Sequence, residues 1–405
     1  MNWSVKQGVE SLPESALNQA RVALVHEWLT PQATGGSELV VQEILNFIEA
    51  DLYALIDFES TNPESYLFKR AIGTTFLQHL PFARRGVQKY LPLLPLAIEQ
   101  LDLESYDIIL SSSHTVAKGV LTRADQLHIC YCHAPMRFAW DMTFDYLKNS
   151  TVGHGPTGLL TRALLHRLRQ WDVVSANRVD CFIANSIHTA RRIWRCYRRP
   201  AEVVYPPVDT HRFEFNANKQ DFYLTVSRLV SYKKTSLIVQ AFNQLGRPLV
   251  IIGTGPELES IRRIANPNIQ IMGWQPDSVV EAYMANAKAF VYAACEDFGI
   301  APVEAQSCGT PVIAYGDGGT AESVRSVGQW GEQGTGILFQ HQTVAAVVDA
   351  VEQFEQWQHR LDLEIVRSHA LSFSPVVFQQ KYLSLLETYY QTFKTGTMTL
   401  ATHNL

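Results

Sequence analysis

The feature that most constrains this chain of 405 residues is an alternation of short apolar segments with longer amphipathic ones, present in both halves. Short apolar runs that alternate with segments of helical periodicity are typical of buried parallel strands joined by helices. The predicted strands are 21–25, 107–110, 128–131 and 181–185 in the first half, and 222–226, 248–252, 269–273, 289–293 and 311–315 in the second. We therefore predict an α/β protein with two doubly wound parallel sheets.

The tandem prolines Pro206-Pro207 separate the two series of strands, because they continue neither a helix nor an inner strand. We predict an N-terminal Rossmann-like domain over 1–205, in which 1–20 form an extension, and a C-terminal one over 206–374. A last helical stretch within 375–405 follows a domain that is already complete. It is expected to return to the first domain.

Composition excludes several classes of protein. The formal net charge of −5 argues against general nucleic-acid binding. Neither an apolar stretch long enough to span a bilayer nor the apolar core of a signal peptide is found in the sequence. The six cysteines lie mostly in apolar segments, and Cys130-Tyr131-Cys132 lacks the spacing of a zinc site. Reduced thiols and a cytoplasmic location are expected.

The segment from Glu296 to Glu304 joins a predicted strand to a helix that begins in the turn at 299–302. Amides at such a helix start favour anions and face the crevice in which doubly wound folds bind ligands. Both carboxylates can face that crevice, where they would accept hydrogen bonds from the hydroxyls of a sugar or a ribose. The alternative is that neither residue binds a ligand, so that Glu296 is an exposed cap residue and Glu304 a solvated glutamate of the helix.

Two cations, Arg228 and Lys233, follow the predicted strand 222–226. A guanidinium and an ammonium fixed there would bind a diphosphate leaving group and stabilise its developing charge without a metal. Surface cations near a turn are the alternative. The sequence has no Asp-x-Asp motif at a strand end and no His, Asp and Glu set with metal spacing, so we predict no metal site.

Glycines and a histidine follow other predicted strands. Gly35-Gly36 comes after the first strand, where missing side chains let the backbone approach a ligand. Gly253-Thr-Gly255 is not a dinucleotide fingerprint, because its third glycine would fall at Leu258. This segment is either a tight turn near a nucleobase or a purely structural turn. His133 follows the strand 128–131, a position that suits a ligand site or an ordinary loop residue.

Taken in order, these residues resemble the retaining glycosyltransferases of family 4, which have the GT-B fold of two Rossmann-like domains facing a cleft. The resemblance runs from Arg21 to about Tyr390. It rests on Gly35-Gly36, His133-x-Pro135, Arg228-x4-Lys233, Glu296-x7-Glu304, Gly309-Thr-Pro311 and Gly318-Gly319-x-x-Glu322. The runs 90–101, 111–114 and 131–137 are similar to bacterial mannosyltransferases of O-antigen assembly.

The resemblance implies roles for these residues. Arg228 and Lys233 would hold the diphosphate beside the backbone of Gly35 and Gly36. Glu296 would bind hydroxyls of the donor sugar and Glu304 the ribose, with His133 beside the sugar. The backbone near the sugar, phosphates and base would come from Phe298, Gly299, Ile300, Ala301 and Gly253. Ser227 and Lys234 stand where the family commonly has glycine.

The implied reaction is retaining transfer of a hexose, with no metal and no organic cofactor. The expected donor is a nucleotide sugar, GDP-mannose first and a UDP-hexose second. The expected acceptor is a glycan or a polyprenyl-linked glycan in bacterial surface polysaccharide synthesis. The alternatives are a GT-B nucleotide-sugar epimerase or hydrolase, an NAD-dependent sugar-nucleotide enzyme, and a binding protein that keeps the nucleotide site.

Two basic segments are expected to face the acceptor. Residues 78–100 contain three basic residues, Arg84, Arg85 and Lys89, and one acidic residue, Glu99. Residues 157–199 contain nine arginines and two aspartates. Basic amphipathic segments suit an anionic membrane surface. We therefore predict peripheral association with the inner face of the plasma membrane, with a solvated basic face as the alternative.

Overall fold

The computed structural model describes residues 16–30, 35–149 and 155–396. Its first sheet has seven parallel strands in the order β3-β2-β1-β4-β5-β6-β7. These strands are β1 Val22–His26, β2 Asp51–Ala54, β3 Ile72–Thr74, β4 Ile108–Ser113, β5 Leu127–Cys132, β6 Cys181–Ala184 and β7 Ala201–Val203.

The second sheet has six parallel strands in the order β10-β9-β8-β11-β12-β13. They are β8 Tyr223–Val226, β9 Leu249–Ile252, β10 Ile269–Gly273, β11 Ala289–Tyr292, β12 Val312–Tyr315 and β13 Gly336–Phe339. The prediction of two doubly wound parallel sheets is confirmed. Chain order reverses between β1 and β4 and again between β8 and β11, and such reversals open a crevice at the carboxyl ends of the strands.

Helices cover both faces of each sheet, which is why β1, β4, β5 and β6 are buried at every position. The helices beside the first sheet are α1 Gly36–Phe47, α2 Ala83–Gly86, α3 Leu94–Ile98, α4 Thr143–Asn149, α5 Gly155–Ala176 and α6 Ile187–Tyr197. Those that follow are α7 Thr235–Leu245, α8 Leu258–Ile264, α9 Asp277–Asn286, α10 Ile300–Ser307, α11 Thr320–Ser323, α12 Val327–Trp330, α13 Val344–Trp357, α14 Leu363–Leu371 and α15 Pro375–Lys394.

Short 3₁₀ helices complete the description at Ala16–Gln19, Phe76–His79, Val87–Leu93, Ala117–Gly119, Ser231–Lys233, Gly331–Gln333 and Gln358–Arg360. Residues 1–15 of the predicted extension lie outside the described residues, and so does the end of the last predicted segment from residue 397. All six cysteines are free thiols, four of them buried.

The last helix, α15, packs against the first sheet rather than the second. Its side chains Phe378, Tyr382, Leu386 and Tyr390 belong to the same buried cluster as Val22 of β1. These four positions recur at intervals of four residues, so they lie on one helix face. Strand β1 and helix α15, far apart in the sequence, therefore share one domain core.

The residues just before three helices set where those helices start. Helix α1 is capped at Gly35, and the hydroxyl of Ser37 donates to Glu38. Helix α9 begins at Asp277, directly after Pro276. Helix α10 begins at Ile300, within the predicted turn, since Gly299 adopts the left-handed conformation that turns the chain into the helix.

Candidate active site

A cavity of about 790 Å³ lies between the two domains, at the carboxyl ends of both sheets. It brings together eight of the residues predicted for the site. These are Gly36, His133, Lys233, Glu296, Phe298, Gly299, Ile300 and Ala301. Gly35, Arg228, Gly253 and Glu304 do not line it.

Lys233 and Glu296 form an ion pair inside this cavity. The Lys233 ammonium also donates to the Tyr292 hydroxyl at 2.9 Å. Burial by itself lowers the pKa of Lys233, but Tyr292 and Glu296 carry the pKa well above its usual value, so this lysine stays charged. The two residues that the sequence assigns to different parts of the donor thus contact each other directly.

The start of helix α10 presents backbone donors to the cavity. Within the described residues, the amides of Phe298, Gly299, Ile300 and Ala301 donate to no acceptor. The first domain comes very close at this point, because a Cβ on Gly36 would lie 2.7 Å from Cδ1 of Ile300. The Ile300 side chain thus packs on the Gly36 backbone, and the four amides at the start of α10 beside it suit an anion.

Arg228 and Gly253 lie beside the cavity rather than on its wall. Arg228 is exposed, and neighbouring Ser227 lines the cavity in its place. Gly253 packs on that same backbone, since a Cβ there would lie 1.9 Å from the Ser227 carbonyl oxygen. Lys234, which replaces a glycine common in the family, adopts a left-handed φ of 56°.

Glu304 faces away from the cavity toward a cation of the interdomain segment. Its carboxylate lies 3.5 Å from Arg212, whose guanidinium also pairs with Glu281 at 2.9 Å and Asp277 at 3.6 Å. Burial raises the pKa of Glu304 to about 7, and Arg212 only partly offsets this. The two glutamates of the Glu-x7-Glu segment therefore lie in different environments.

His133 follows β5 and reaches the cavity with a neutral ring. Its Nε2 lies 2.8 Å from the Ser112 hydroxyl, and its carbonyl accepts from the Asn185 amide at 3.0 Å. Burial, with His114 and His26 nearby, holds the pKa of His133 well below its usual value. At neutral pH the ring can donate or accept a hydrogen bond without carrying charge.

Two buried glutamates near the cavity were missed from the sequence. Glu27 accepts hydrogen bonds from the amides of residues 114–117, four consecutive donors at 2.6–3.1 Å. Burial by itself raises the pKa of Glu27, but His114 and these amides bring it below the usual value. Glu38 accepts from the Gly35 amide at 3.0 Å. Two sequence signals could have identified them. Glu27 comes directly after a buried strand, and Glu38 lies three residues after Gly35.

Two polar contacts hold the domains together around the cavity. Asp297 of the second domain pairs with Arg137 at 3.3 Å and with Arg192, both from the first domain. Glu322 accepts from the amides of Ile187 at 2.7 Å and His188 at 2.8 Å, the first two residues of α6. A carboxylate at a helix N-terminus is stabilised by the helix dipole. Asp297 and Glu322 thus connect the two domains beside the cavity.

The first-domain side of the cavity has an extended apolar wall. Its members come from the helices and one turn that follow β3 and β5, namely Leu91, Leu94, Phe138, Leu147 and Leu165, with Trp28 and Tyr146 beside them. Exposed apolar side chains continue along the same helices at Leu96, Phe144 and Leu160. One half of the cavity is therefore built for charge and hydroxyl groups, and the other for a ligand with an apolar part.

Five of the nine arginines in 157–199 make polar contacts inside the first domain. Arg178 pairs with Glu99 and Arg192 with Asp141, each at 2.7 Å. The other three donate to backbone carbonyls, Arg162 at 3.1 Å and Arg169 and Arg199 at 2.8 Å. An exposed basic face remains on α6, where Arg191, Arg195 and Arg198 surround Trp194. The described residues contain no helix that could cross a bilayer, and no His, Cys, Asp and Glu group suited to a metal ion.

Two family models match consecutive parts of the chain. The model for glycosyltransferase family 4 matches residues 34–212, and the model for glycosyl transferases group 1 matches residues 208–364. The chain belongs to glycosyltransferase family 4. Together the two models extend over both sheets and the cleft between them, so the predicted family and its GT-B fold are confirmed.

Among characterised relatives, the family 4 chain is similar to a GDP-mannose-dependent α-(1-6)-phosphatidylinositol monomannoside mannosyltransferase of Mycobacterium tuberculosis. The two are 28% identical over 200 residues, which is 42% of this chain and 50% of the relative. A D-inositol 3-phosphate glycosyltransferase of Rhodococcus jostii is 39% identical over 82 residues, 20% of this chain and 17% of that relative. The chain spans about half the length of the mycobacterial relative it matches.

Solved structures of the same fold include sucrose-phosphate synthase from Thermosynechococcus elongatus. It superposes with a TM-score of 0.66 at 15% identity, over 91% of this chain and all of that one. Anabaena HepE in complex with UDP-glucose has a TM-score of 0.63 at 17% identity, over 90% of this chain and 99% of that one. At these identities the similarity establishes the GT-B fold alone.

Proposed function

We propose that this protein transfers a hexose with retention of configuration from a nucleotide diphosphate donor, and that the donor is GDP-mannose. The observation that carries the proposal is the meeting of Lys233, Glu296 and the α10 amides with His133 in one interdomain cavity. The mycobacterial relative is named as a GDP-mannose-dependent mannosyltransferase, which favours that donor.

The charge distribution of the cavity suits departure of a diphosphate. Lys233 and the amides of Phe298 to Ala301 would stabilise the negative charge that develops as the glycosidic bond breaks. Glu296 would accept hydrogen bonds from hydroxyls of the sugar. The leaving phosphate oxygen would take the acceptor's proton on the same face of the sugar, so no second carboxylate is needed as a nucleophile.

We infer that the reaction needs no metal, because fixed protein donors supply the positive charge. The amides at the start of α10 add to the Lys233 ammonium at the same cavity. Activity should survive removal of divalent ions by EDTA. Complete loss of turnover in EDTA that Mg²⁺ or Mn²⁺ restores would contradict this.

A lipid-linked glycan is the acceptor that fits the apolar wall. The wall continues from buried Leu94 and Leu147 to the exposed side chains of Leu96 and Phe144 on the same helices. A polyprenyl diphosphate acceptor would place its hydrocarbon there and its sugar toward His133. Synthesis of a bacterial surface polysaccharide is the process in which such an acceptor is used.

Peripheral membrane binding is proposed through the exposed face of α6. Arg191, Arg195 and Arg198 surround a half-exposed Trp194, a combination suited to an anionic interface. Flotation with anionic vesicles should weaken as salt rises and in the variant Trp194→Ala. Arg262→Ala, on exposed helix α8 of the second domain, is the control. Equal binding to neutral and anionic vesicles would exclude this surface.

A donor panel tests the proposed function directly. Thermal shifts with GDP, UDP and ADP, followed by their hexose conjugates, should be largest for GDP and GDP-mannose. At a hundredfold excess over Kd, binding to the native state contributes about 2.7 kcal/mol. A larger shift with UDP would favour the second candidate, a UDP-hexose transferase, which the UDP-glucose complex of HepE also suggests. Consumption of the donor without an acceptor would instead indicate an epimerase or a hydrolase.

A further inference from the structure

A buried chain of hydrogen-bonding groups runs from His26 of β1 to the histidine of the cavity. Glu38 lies 3.7 Å from Nε2 of His26, too far for a hydrogen bond. Nδ1 of His26 lies 3.3 Å from the Ser112 carbonyl oxygen and 3.2 Å from its hydroxyl. That hydroxyl lies 2.8 Å from Nε2 of His133. His26 and Ser112 are completely buried, so water does not compete for these contacts.

The carbonyl in this chain fixes the direction of every proton. A carbonyl oxygen only accepts, so Nδ1 of His26 must carry a proton and donate. The Ser112 hydroxyl then accepts from His26 and has one proton of its own to donate. Within the described residues, Nε2 of His133 is the remaining partner of that hydroxyl. Nε2 of His133 is therefore the acceptor.

A neutral imidazole with an accepting Nε2 carries its proton on Nδ1. Burial and the neighbouring His114 and His26 keep this ring neutral by lowering the pKa of His133. The described residues offer no hydrogen-bond partner to its Nδ1, and that atom is not among the buried unpaired ones. The His133 ring thus turns an N–H donor toward the cavity, whose wall also includes the Glu296 carboxylate, which can only accept.

We propose that Ser112 and His26 are positioning residues that lock His133 in the Nδ1–H form, so that it donates a hydrogen bond to a hydroxyl oxygen of the donor hexose. This inference rests on the proposed function, because the hexose is the ligand that the function supplies.

The proton position can be measured without any substrate. Two-bond proton–nitrogen NMR spectra of protein labelled with ¹⁵N-histidine distinguish the two neutral forms, and His133→Gln identifies the His133 signals. We expect the Nδ1–H pattern. His128 provides an internal reference, because its Nε2 accepts from Ser111 at 2.9 Å while its Nδ1 faces the Arg178 carbonyl at 3.1 Å. An Nε2–H pattern for His133 would overturn the proposal.

Variants then connect the proton position to turnover. Ser112→Ala should shift His133 toward the Nε2–H form and lower kcat about tenfold, while the Kd for the bare nucleoside diphosphate stays unchanged. Ser112→Thr, which keeps the hydroxyl, should restore both. Ser111→Ala is the matched control, since it removes the same kind of hydrogen bond on the same strand and should leave His133 and kcat unchanged.

The outcomes separate this proposal from the function on which it rests. A shifted tautomer in Ser112→Ala with unchanged kcat would show that the positioning role is wrong. An unchanged tautomer in that variant would show that Ser112 does not fix the proton. If wild-type protein transfers sugar from no nucleotide donor, the proposed function fails, whereas the NMR measurement still decides the proton position.

Discussion

At the scale of single residues, the cavity holds an ion pair between two side chains that are proposed to bind different parts of the donor. Lys233 and Glu296 are each other's partners in this structure, although one is proposed to bind the phosphates and the other the sugar. A bound donor must therefore separate them or lie against both. The Glu296 carboxylate competes with a bound phosphate for the Lys233 ammonium. We therefore expect the two side chains to have opposite effects on the affinity for a bare nucleoside diphosphate.

We predict that Lys233→Ala weakens binding of the bare nucleoside diphosphate roughly 10- to 100-fold, the cost of a hydrogen bond to a charged group. Glu296→Gln should bind that diphosphate at least as tightly as wild type, because Lys233 loses its competitor, while kcat falls by a similar factor. Calorimetry and product assays measure the two effects. The neighbouring exposed Lys234→Ala is the control. Diphosphate binding that is as poor in Glu296→Gln as in Lys233→Ala would refute the assignment.

Glu304 gives a prediction about pH. Its folded-state pKa of about 7 lies above the ordinary 4.5, so the folded protein holds this proton more tightly than the unfolded chain does. The stability it contributes is present below pH 4.5 and is lost as pH rises to 7. The variant Glu304→Gln does not titrate, so it does not lose stability in this pH range. Arg212 still has its ion pair with Glu281 in that variant.

The stability of Glu304→Gln relative to wild type should therefore rise between pH 4.5 and pH 8, by on the order of 1 to 3 kcal/mol. Urea unfolding at both pH values measures the difference. Glu259→Gln, at an exposed position of α8, should show no such trend. If the difference in free energy of unfolding between Glu304→Gln and wild type is also independent of pH, the pKa of Glu304 is not raised.

At the scale of elements, the ends of strands and the starts of helices carry the site. The Glu322 carboxylate on the N-terminus of α6 connects an element of one domain to an element of the other. We predict that Glu322→Gln weakens donor binding about fivefold with little change in kcat, since losing such a cap costs about 1 kcal/mol. Donor titrations test this, with exposed Glu332→Gln as the control. A fall in kcat at constant affinity would instead place Glu322 in the chemical step.

The same scale explains how much could be predicted from the sequence. Strand ends can be predicted because buried parallel strands leave apolar runs, and Lys233, Glu296 and His133, expected from those ends, line the cavity. Side-chain direction cannot be predicted in this way, and Arg228 and Glu304 do not line the cavity. Ser112 could not be assigned either, because its role depends on pairing β4 with β5 and on contact with His26 of β1.

At the scale of the whole molecule, the first domain depends on the last helix. Phe378→Ala, in the middle of that shared core, should lower the free energy of unfolding by about 3 to 5 kcal/mol. Val376→Ala, two residues earlier on the exposed face, should change it by less than about 0.5 kcal/mol. Hydrogen exchange should show the loss of protection in β1 and β2 rather than in β8 and β9. Equal losses in both sheets would contradict the separate cores.

The position of α15 also sets the order in which the first domain can mature. Its strands leave the ribosome before the second sheet, but the α15 side chains that close its core are translated after the second sheet. Until α15 is made, the apolar surface that it covers around Val22 stays exposed, whereas all six strands of the second sheet are already translated. The domain that is synthesised first is thus completed after the second sheet, and its apolar surface must be kept from aggregating until α15 emerges.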